Sequence, residues 1–278
     1  MSENVVVITG CSTGIGRALA LEFHARKMRV VATARKLESL SALAEAGMGT
    51  VALDVNDGDS VSAAVKQIVD AEGRIDMLVN NAGVNRFGPV LEQPMEELRQ
   101  IMETNVLGLI AMTQAVFPHM ADRRSGHIIN IGSVAGVLRT PWAGAYCASK
   151  AAVHMVSDVM RLELAPFGVH VTVVQPGAVR SSIVANAEST ARYKDESSRY
   201  SGAHDGIELR ANASQVDPME AEDFARSFVD QVCTEPAPRM FRLGAGADTI
   251  AQLAQQPVDQ VDMMVSARFG LAPHSFKP

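Results

Sequence analysis

Short apolar runs recur through the first two-thirds of the chain, at residues 5–9, 29–33, 50–53, 77–80, 127–131 and 170–175. They are rich in Val, Ile and Leu and do not alternate with polar residues, the pattern of parallel strands buried on both faces. Between them lie stretches with helical spacing, at 14–26, 36–46 and 57–72; in the first, Ile15, Leu19 and Phe23 recur every four residues as one apolar stripe. Strands alternating with helices of this length predict βαβ units and a doubly wound parallel α/β sheet, helices on both faces, in three layers.

The pattern weakens beyond Pro176-Gly177. Residues 180–217 are rich in Ser, Ala, Arg and Asp without a clear period, and so large an irregular stretch reads as a functional lid. Helical spacing returns at 218–233, a last short strand is expected at 239–243, and a helical tail follows at 249–256 and 259–269. No linker separates a second domain, so one domain over residues 1–278 is expected.

Composition narrows the class. At 47% hydrophobic, 20% charged and a net charge of −6, the 278-residue chain is that of a globular protein able to form a core. No basic stripe points to nucleic acid, and no apolar run reaches the ~20 residues a membrane helix needs. The three cysteines, Cys11, Cys147 and Cys233, match neither a zinc site nor a disulfide framework, and no metal is expected. A reducing cytoplasm is the expected compartment.

The first strand runs into Thr9-Gly10-Cys11-Ser12-Thr13-Gly14-Ile15-Gly16 and then a helix. Glycines at such a junction allow a tight turn and let the backbone approach a pyrophosphate, which the helix N-terminus faces. The spacing is G-xxx-G-x-G, and its place in the first βαβ unit marks a Rossmann-type dinucleotide site. The second strand ends in Ala34-Arg35 with no acidic residue. A carboxylate there would bind the ribose 2′-hydroxyl of NAD, whereas a guanidinium suits the 2′-phosphate of NADP. NADP(H) is therefore expected over NAD(H), the alternative being that Arg35 is a solvated charge in the first turn of a helix. Asp54, with Val55 beside it, is placed at the adenine; N-capping the next helix is the other reading of Asp54.

These features and the motifs after them, Asn80-Asn81-Ala82-Gly83, Asn105, Ser133, Tyr146-Cys147-Ala148-Ser149-Lys150 and Pro176-Gly177, resemble in order and spacing the short-chain dehydrogenase/reductase family, in its single-domain branch. The resemblance covers residues 4–180 or so. It implies a catalytic set of Asn105, Ser133, Tyr146 and Lys150. It also implies a cofactor set of Gly10, Ser12, Thr13, Gly14, Ile15, Gly16, Arg35, Asp54, Val55, Asn81, Ala82, Gly83, Tyr146, Lys150, Pro176, Gly177, Val179 and Ser181. Ser181 stands where relatives usually carry Thr, which keeps the hydroxyl. Tyr146 and Lys150 are four apart, so a helix places them on one face. The ammonium is expected to lower the phenol below its free value of about 10 and fit it for proton transfer. Ser133 would orient the substrate oxygen, Lys150 would hold the nicotinamide ribose, and Asn105 would bind a relay water through its backbone. Asn81 to Gly83 would lie under the adenosine ribose, or equally serve as scaffold that steadies the central strands, and the Val179 backbone would bind the nicotinamide amide. Cys147 is expected to pack.

The substrate is less legible. The lid carries Arg180, Arg192, Lys194, Arg199 and Arg210 against Glu188, Asp195, Glu196, Asp205, Glu208 and Asp217, a balance that does not favour an anion. Val134, Val137, Leu138, Pro141 and Trp142 either line an apolar pocket or pack in the core. The expectation is a hydrophobic ketone, steroid-like, lipid or aromatic. The Pro141–Lys150 stretch resembles a subgroup near hydroxysteroid dehydrogenases and acyl-dihydroxyacetone-phosphate reductases, and the resemblance implies a homodimer or homotetramer. The rival is a non-catalytic NADP(H) sensor, which would have lost Tyr, Lys or Ser; all three are present.

Overall fold

The structure, a computed structural model, describes residues 4–181 and 188–271. Seven strands form one wholly parallel sheet: β1 (Val5–Ile8), β2 (Arg29–Ala34), β3 (Gly49–Ala52), β4 (Met77–Asn80), β5 (Gly126–Ile131), β6 (Val169–Pro176) and β7 (Met240–Leu243). Their order is β3-β2-β1-β4-β5-β6-β7. The chain winds outward from β1 to β3, then returns to pair β4 with β1, so the direction of winding reverses between those two strands. A crevice opens beyond the carboxyl ends of strands at such a point. Each expected strand is present, with ends shifted by a residue or so.

Helices cover both faces. α1 (Gly14–Ala25) begins at the glycine turn, α2 (Ser41–Glu45) is short, and α3 (Gly58–Glu72) is stopped by Gly73 in the left-handed conformation. Asp57 caps α3, accepting bonds from the Asp59 and Ser60 backbone N–H groups. The cap is thus Asp57 and not Asp54, whose carboxylate accepts instead from the Asn56 backbone N–H at 3.0 Å. α4 (Met95–Met102) continues through a π-turn at Glu103–Leu107 into α5 (Gly108–Arg123). α6 (Gly144–Leu164) is the longest helix. On one face of the sheet Phe23 of α1 meets Phe228 of α9 (Ala221–Val232) edge to face, 6.2 Å between ring centroids, over Val6, Ile8, Val30 and Ile129. On the other, α3 and α5 cover Val5, Val7, Leu78 and Ile128.

The stretch after β6 departs from expectation. Residues 188–217 are not irregular: they form α7 (Glu188–Ala191), α8 (His204–Asn212) and intervening single turns. Ala203, Ile207 and Ala211 recur every four residues and are all buried. Small alanines and an interrupting Gly206 kept that stripe from standing out in the sequence. The lid packs against Trp142, whose indole N–H donates to the Phe269 carbonyl, and against α11 (Val258–Arg268). The part of the lid at 182–187 lies outside the described residues. The tail adds α10 (Ala247–Leu253) before α11.

Candidate active site

The cofactor turn is set by backbone geometry. Gly10 has φ +74°, a conformation side chains resist. A Cβ on Gly16 would lie 2.3 Å from the Gly10 carbonyl oxygen and 2.4 Å from Asn81 Nδ2, so no other residue fits without moving the turn. Asn81 Nδ2 donates to the carbonyls of Thr9 and Gly10, and Thr9 Oγ1 accepts from the Asn81 and Ala82 backbone N–H groups. The turn and the end of β4 are therefore one unit. Thr9 was not among the expected site residues, although it stands at the end of the first strand.

A cleft of about 560 Å³ opens from this turn across the carboxyl ends of the strands. Gly10, Ser12, Thr13, Gly14, Ile15 and Gly16 form one end, with Arg35, Asp54 and Val55 beside them. Asn81, Ala82, Gly83, Pro176, Gly177, Val179 and Ser181 follow along its length. Ser133, Tyr146 and Lys150 line its other part, so every expected cofactor residue and three of the four expected catalytic residues meet in one space. These residues fit a dinucleotide: a bare glycine turn at a helix start, and an exposed guanidinium just past the end of β2 with no carboxylate partner among the described residues.

Asn105 lies just behind the cleft, 1% exposed, in the π-turn. An extra residue in a helical turn re-aims side chains, and such turns recur at functional sites. Its Oδ1 accepts from the Val84 N–H at 2.8 Å; its Nδ2 donates to the Val84 carbonyl and to Ser149 Oγ, both at 3.0 Å. Ser149 in turn donates to the Tyr146 carbonyl at 2.8 Å. The loop after β4 is thereby tied to the helix that carries Tyr146 and Lys150.

α6 is fixed from below by a buried polar chain. Asn80 Nδ2 donates to Asn130 Oδ1, and Asn130 Nδ2 donates to Ser157 Oγ, both at 2.9 Å. Lys150, 5% exposed, donates to the Ile131 carbonyl at 2.7 Å, and burial lowers its pKa to about 8. Its Nζ is 5.8 Å from the Tyr146 ring centroid.

The phenol departs from expectation. Burial raises the Tyr146 pKa above its ordinary value; a hydrogen bond from Ser133 and the positive charge of Arg210 act in the opposite sense. Desolvation wins because the cleft removes water from the phenolate, while the ammonium is committed to the Ile131 carbonyl. Ser133 Oγ accepts from the Ala135 N–H at 3.0 Å, which leaves its hydroxyl proton for Tyr146. The result is a protonated phenol at neutral pH.

Of the apolar residues after Ser133, Val134 and Leu138 reach the cleft, Trp142 is core and Val137 is 38% exposed. Cys147 packs with Phe87, Ala143 and Ala211. Two side chains were not assigned to the site from the sequence, Arg210 having been counted only among the charges of residues 180–217. His154 Nε2 accepts from the Ser133 N–H at 3.3 Å and sits beneath Gly132 and Gly136. Arg210 enters the cleft from α8. A histidine one helical turn beyond Lys150 was a readable signal; an arginine in an aperiodic stretch was not.

A reversal point between β1 and β4, a glycine turn and a Tyr–Lys helix define a dinucleotide-binding oxidoreductase. Comparison with known proteins agrees: residues 4–192 match the family model described as short chain dehydrogenase, and the chain belongs to that family. It is 35% identical over 246 residues to dehydrogenase/reductase SDR family member 7B of Danio rerio, covering 84% of this chain and 75% of that protein. It is 41% identical over 184 residues to the NADPH-dependent 1-acyldihydroxyacetone phosphate reductase of Schizosaccharomyces pombe, covering 66% of this chain and 62% of that protein. Among solved structures, a short-chain dehydrogenase from Streptomyces avermitilis superposes with a TM-score of 0.81 at 29% identity, covering 98% of this chain and 97% of that one. No helix among the described residues is long and apolar enough to cross a membrane.

Proposed function

We propose that the protein reduces a ketone to a secondary alcohol with NADPH. The observation that carries this is the meeting of Ser133, Tyr146 and Lys150 in the same cleft as the glycine turn and Arg35. When bound, NADP(H) supplies or accepts the hydride. Arg35 would hold the 2′-phosphate, Asp54 and Val55 the adenine, and Asn81 to Gly83 the adenosine ribose. Pro176, Gly177, Val179 and Ser181 border the nicotinamide. When substrate binds, Ser133 turns its one hydroxyl proton from Tyr146 Oη to the carbonyl oxygen and orients it. As the carbonyl carbon gains the hydride, Tyr146 Oη gives its proton to the developing alkoxide. The raised phenol pKa keeps that proton in place at neutral pH, ready for donation. Lys150 holds the ribose hydroxyls and feeds the proton back to Tyr146. Asn105 positions Val84 and α6 through its side chain, and its backbone is the seat of a relay water.

Residues 180–217 form the substrate lid of a single catalytic domain. Exposed Met155, Val159 and Leu162 on α6 support assembly into homodimers or homotetramers through that face. Three free cysteines support a reducing cytoplasm. The test is NADPH consumption, with NADH in parallel, over steroid, aliphatic, aromatic and lipid-like ketones. Turnover that prefers NADPH and drops about 10²-fold or more in Tyr146→Phe is expected. Equal turnover by that variant overturns the mechanism, and cofactor binding without any turnover would favour a sensor.

A further inference from the structure

Three of the five lid cations have carboxylate partners: Arg180 with Glu220, Arg192 with Glu97 and Lys194 with Glu208. Arg199 is exposed. Arg210 differs from all four. It projects from α8 into the cleft beside Tyr146, its charge is felt by the phenol, and its guanidinium lies over the Phe87 ring, 5.4 Å from the centroid. Its Nε is sealed from solvent with no hydrogen-bond partner, although the residue as a whole keeps partial exposure. A second guanidinium, Arg268 at the end of α11, lines the same cleft and repels it.

A ring face stabilises a cation but accepts none of its N–H bonds in the guanidinium plane. A buried donor left unmade is unfavourable, and two guanidiniums repel, with no carboxylate among the described residues offsetting the charge of Arg210. An oxyanion in this part of the cleft, held by the terminal N–H groups, relieves the repulsion. Leu138, Ile250, Leu253, Val265 and Phe269 add apolar lining to the same cleft.

We infer that the substrate is an amphiphilic ketone bearing an oxyanion, a carboxylate or a phosphate ester, that Arg210 grips with Arg268 in support while an apolar chain lies along Leu138, Leu253 and Phe269. The inference rests on the ketone-reductase reading and makes it specific. The overall charge of the lid points away from an anion; its local arrangement points toward one.

The experiment compares matched pairs with NADPH: 4-oxodecanoate against its methyl ester, and a long-chain α-hydroxyketone phosphate monoester against the free hydroxyketone. The expected result is a kcat/KM at least about tenfold higher for the anionic member of one pair, and that pair identifies carboxylate or phosphate. In Arg210→Met the ratio falls toward one, and in Arg210→Lys part of it returns. The ratio is internal to each variant, so a partly folded preparation cannot mimic the loss. A wild-type ratio at or below one in both pairs, or a ratio unchanged in Arg210→Met, overturns the inference. Melting temperatures with NADP⁺ and each ketone give a readout without turnover. If nothing turns over, an anion-specific rise in Tm that disappears in Arg210→Met upholds the oxyanion site and overturns the reductase reading; no rise overturns both.

Discussion

Replacing Asn105 with alanine removes three hydrogen bonds at once. Ser149 keeps its bond to the Tyr146 carbonyl, so the groups left unpaired are the N–H and carbonyl of Val84. Val84 is partly exposed and water can reach it, which puts each loss near the lower end of the usual range, about 1 kcal/mol. The side chain itself is 1% exposed, so its removal also leaves a small void beside Gly83, worth roughly 1 kcal/mol more. The sum, about 3 kcal/mol, corresponds to a fall in Tm of roughly 5–10 °C for a domain of this size. Asn105→Asp is more severe: it keeps the acceptor for Val84 N–H but sets a carboxylate against the Val84 carbonyl. Thermal unfolding followed by circular dichroism is expected to rank wild type above Asn105→Ala, and that above Asn105→Asp. An alanine variant melting within about 1 °C of wild type, or an aspartate variant equal to it, would show that this bridge does not hold the loop to α6.

Arg35→Ala is expected to weaken NADPH binding about tenfold, near 1.4 kcal/mol for an exposed charge-assisted contact, and to leave NADH binding unchanged; titration by cofactor fluorescence with no change for NADPH would refute the assignment. Lys150, with its pKa lowered to about 8, is cationic below that pH, so kcat/KM for NADPH is expected to be flat through neutrality and to fall as pH rises through about 8. Tyr146, raised by burial, stays protonated over that range, and a profile flat to pH 9.5 would contradict the role of the lysine cation. His127, 7% exposed, bonds Thr172 Oγ1, whose proton goes to the Pro238 carbonyl, and its pKa is lowered to about 4. The unfolded chain takes up that proton near pH 6.5 and the folded one only near 4. Stability is therefore full above about pH 6.5 and declines toward pH 4, by about 3 kcal/mol from this group. In His127→Gln the urea-unfolding slope between pH 6 and 4.5 is expected to lose about one proton; an unaltered slope refutes it.

The sheet was readable because its strands are buried on both faces: runs such as Val5 to Ile8 leave no choice of register or side. The cofactor end was readable for a related reason. Close backbone approach demands glycine, and glycine shows in a sequence; Gly16, with no room for a Cβ, is the clearest case. Tyr146 and Lys150 were legible through the family resemblance, with helical spacing placing them on one face. What the spacing could not supply was solvation. The phenol rises and the ammonium falls because both are buried, and Lys150 faces a carbonyl two strands' length of sequence away. Arg210 escaped for a like reason: its meaning lies in the absence of an acid around it among the described residues, a property of the folded cleft and not of its neighbours in the chain. Asp54 shows the limit of local rules, since the capping role went to an aspartate three residues on.

The central claim is that the cleft delivers a hydride to a carbonyl carbon and a proton from Tyr146 to its oxygen. Its most direct test is product analysis with NADPH deuterated at nicotinamide C4, one face at a time, using whichever ketone turns over. The account predicts one deuterium on the carbinol carbon, from one face only, with transfer lost in Tyr146→Phe. Oxidation of NADPH that leaves no deuterium in an alcohol product, or transfer undiminished in that variant, would contradict it.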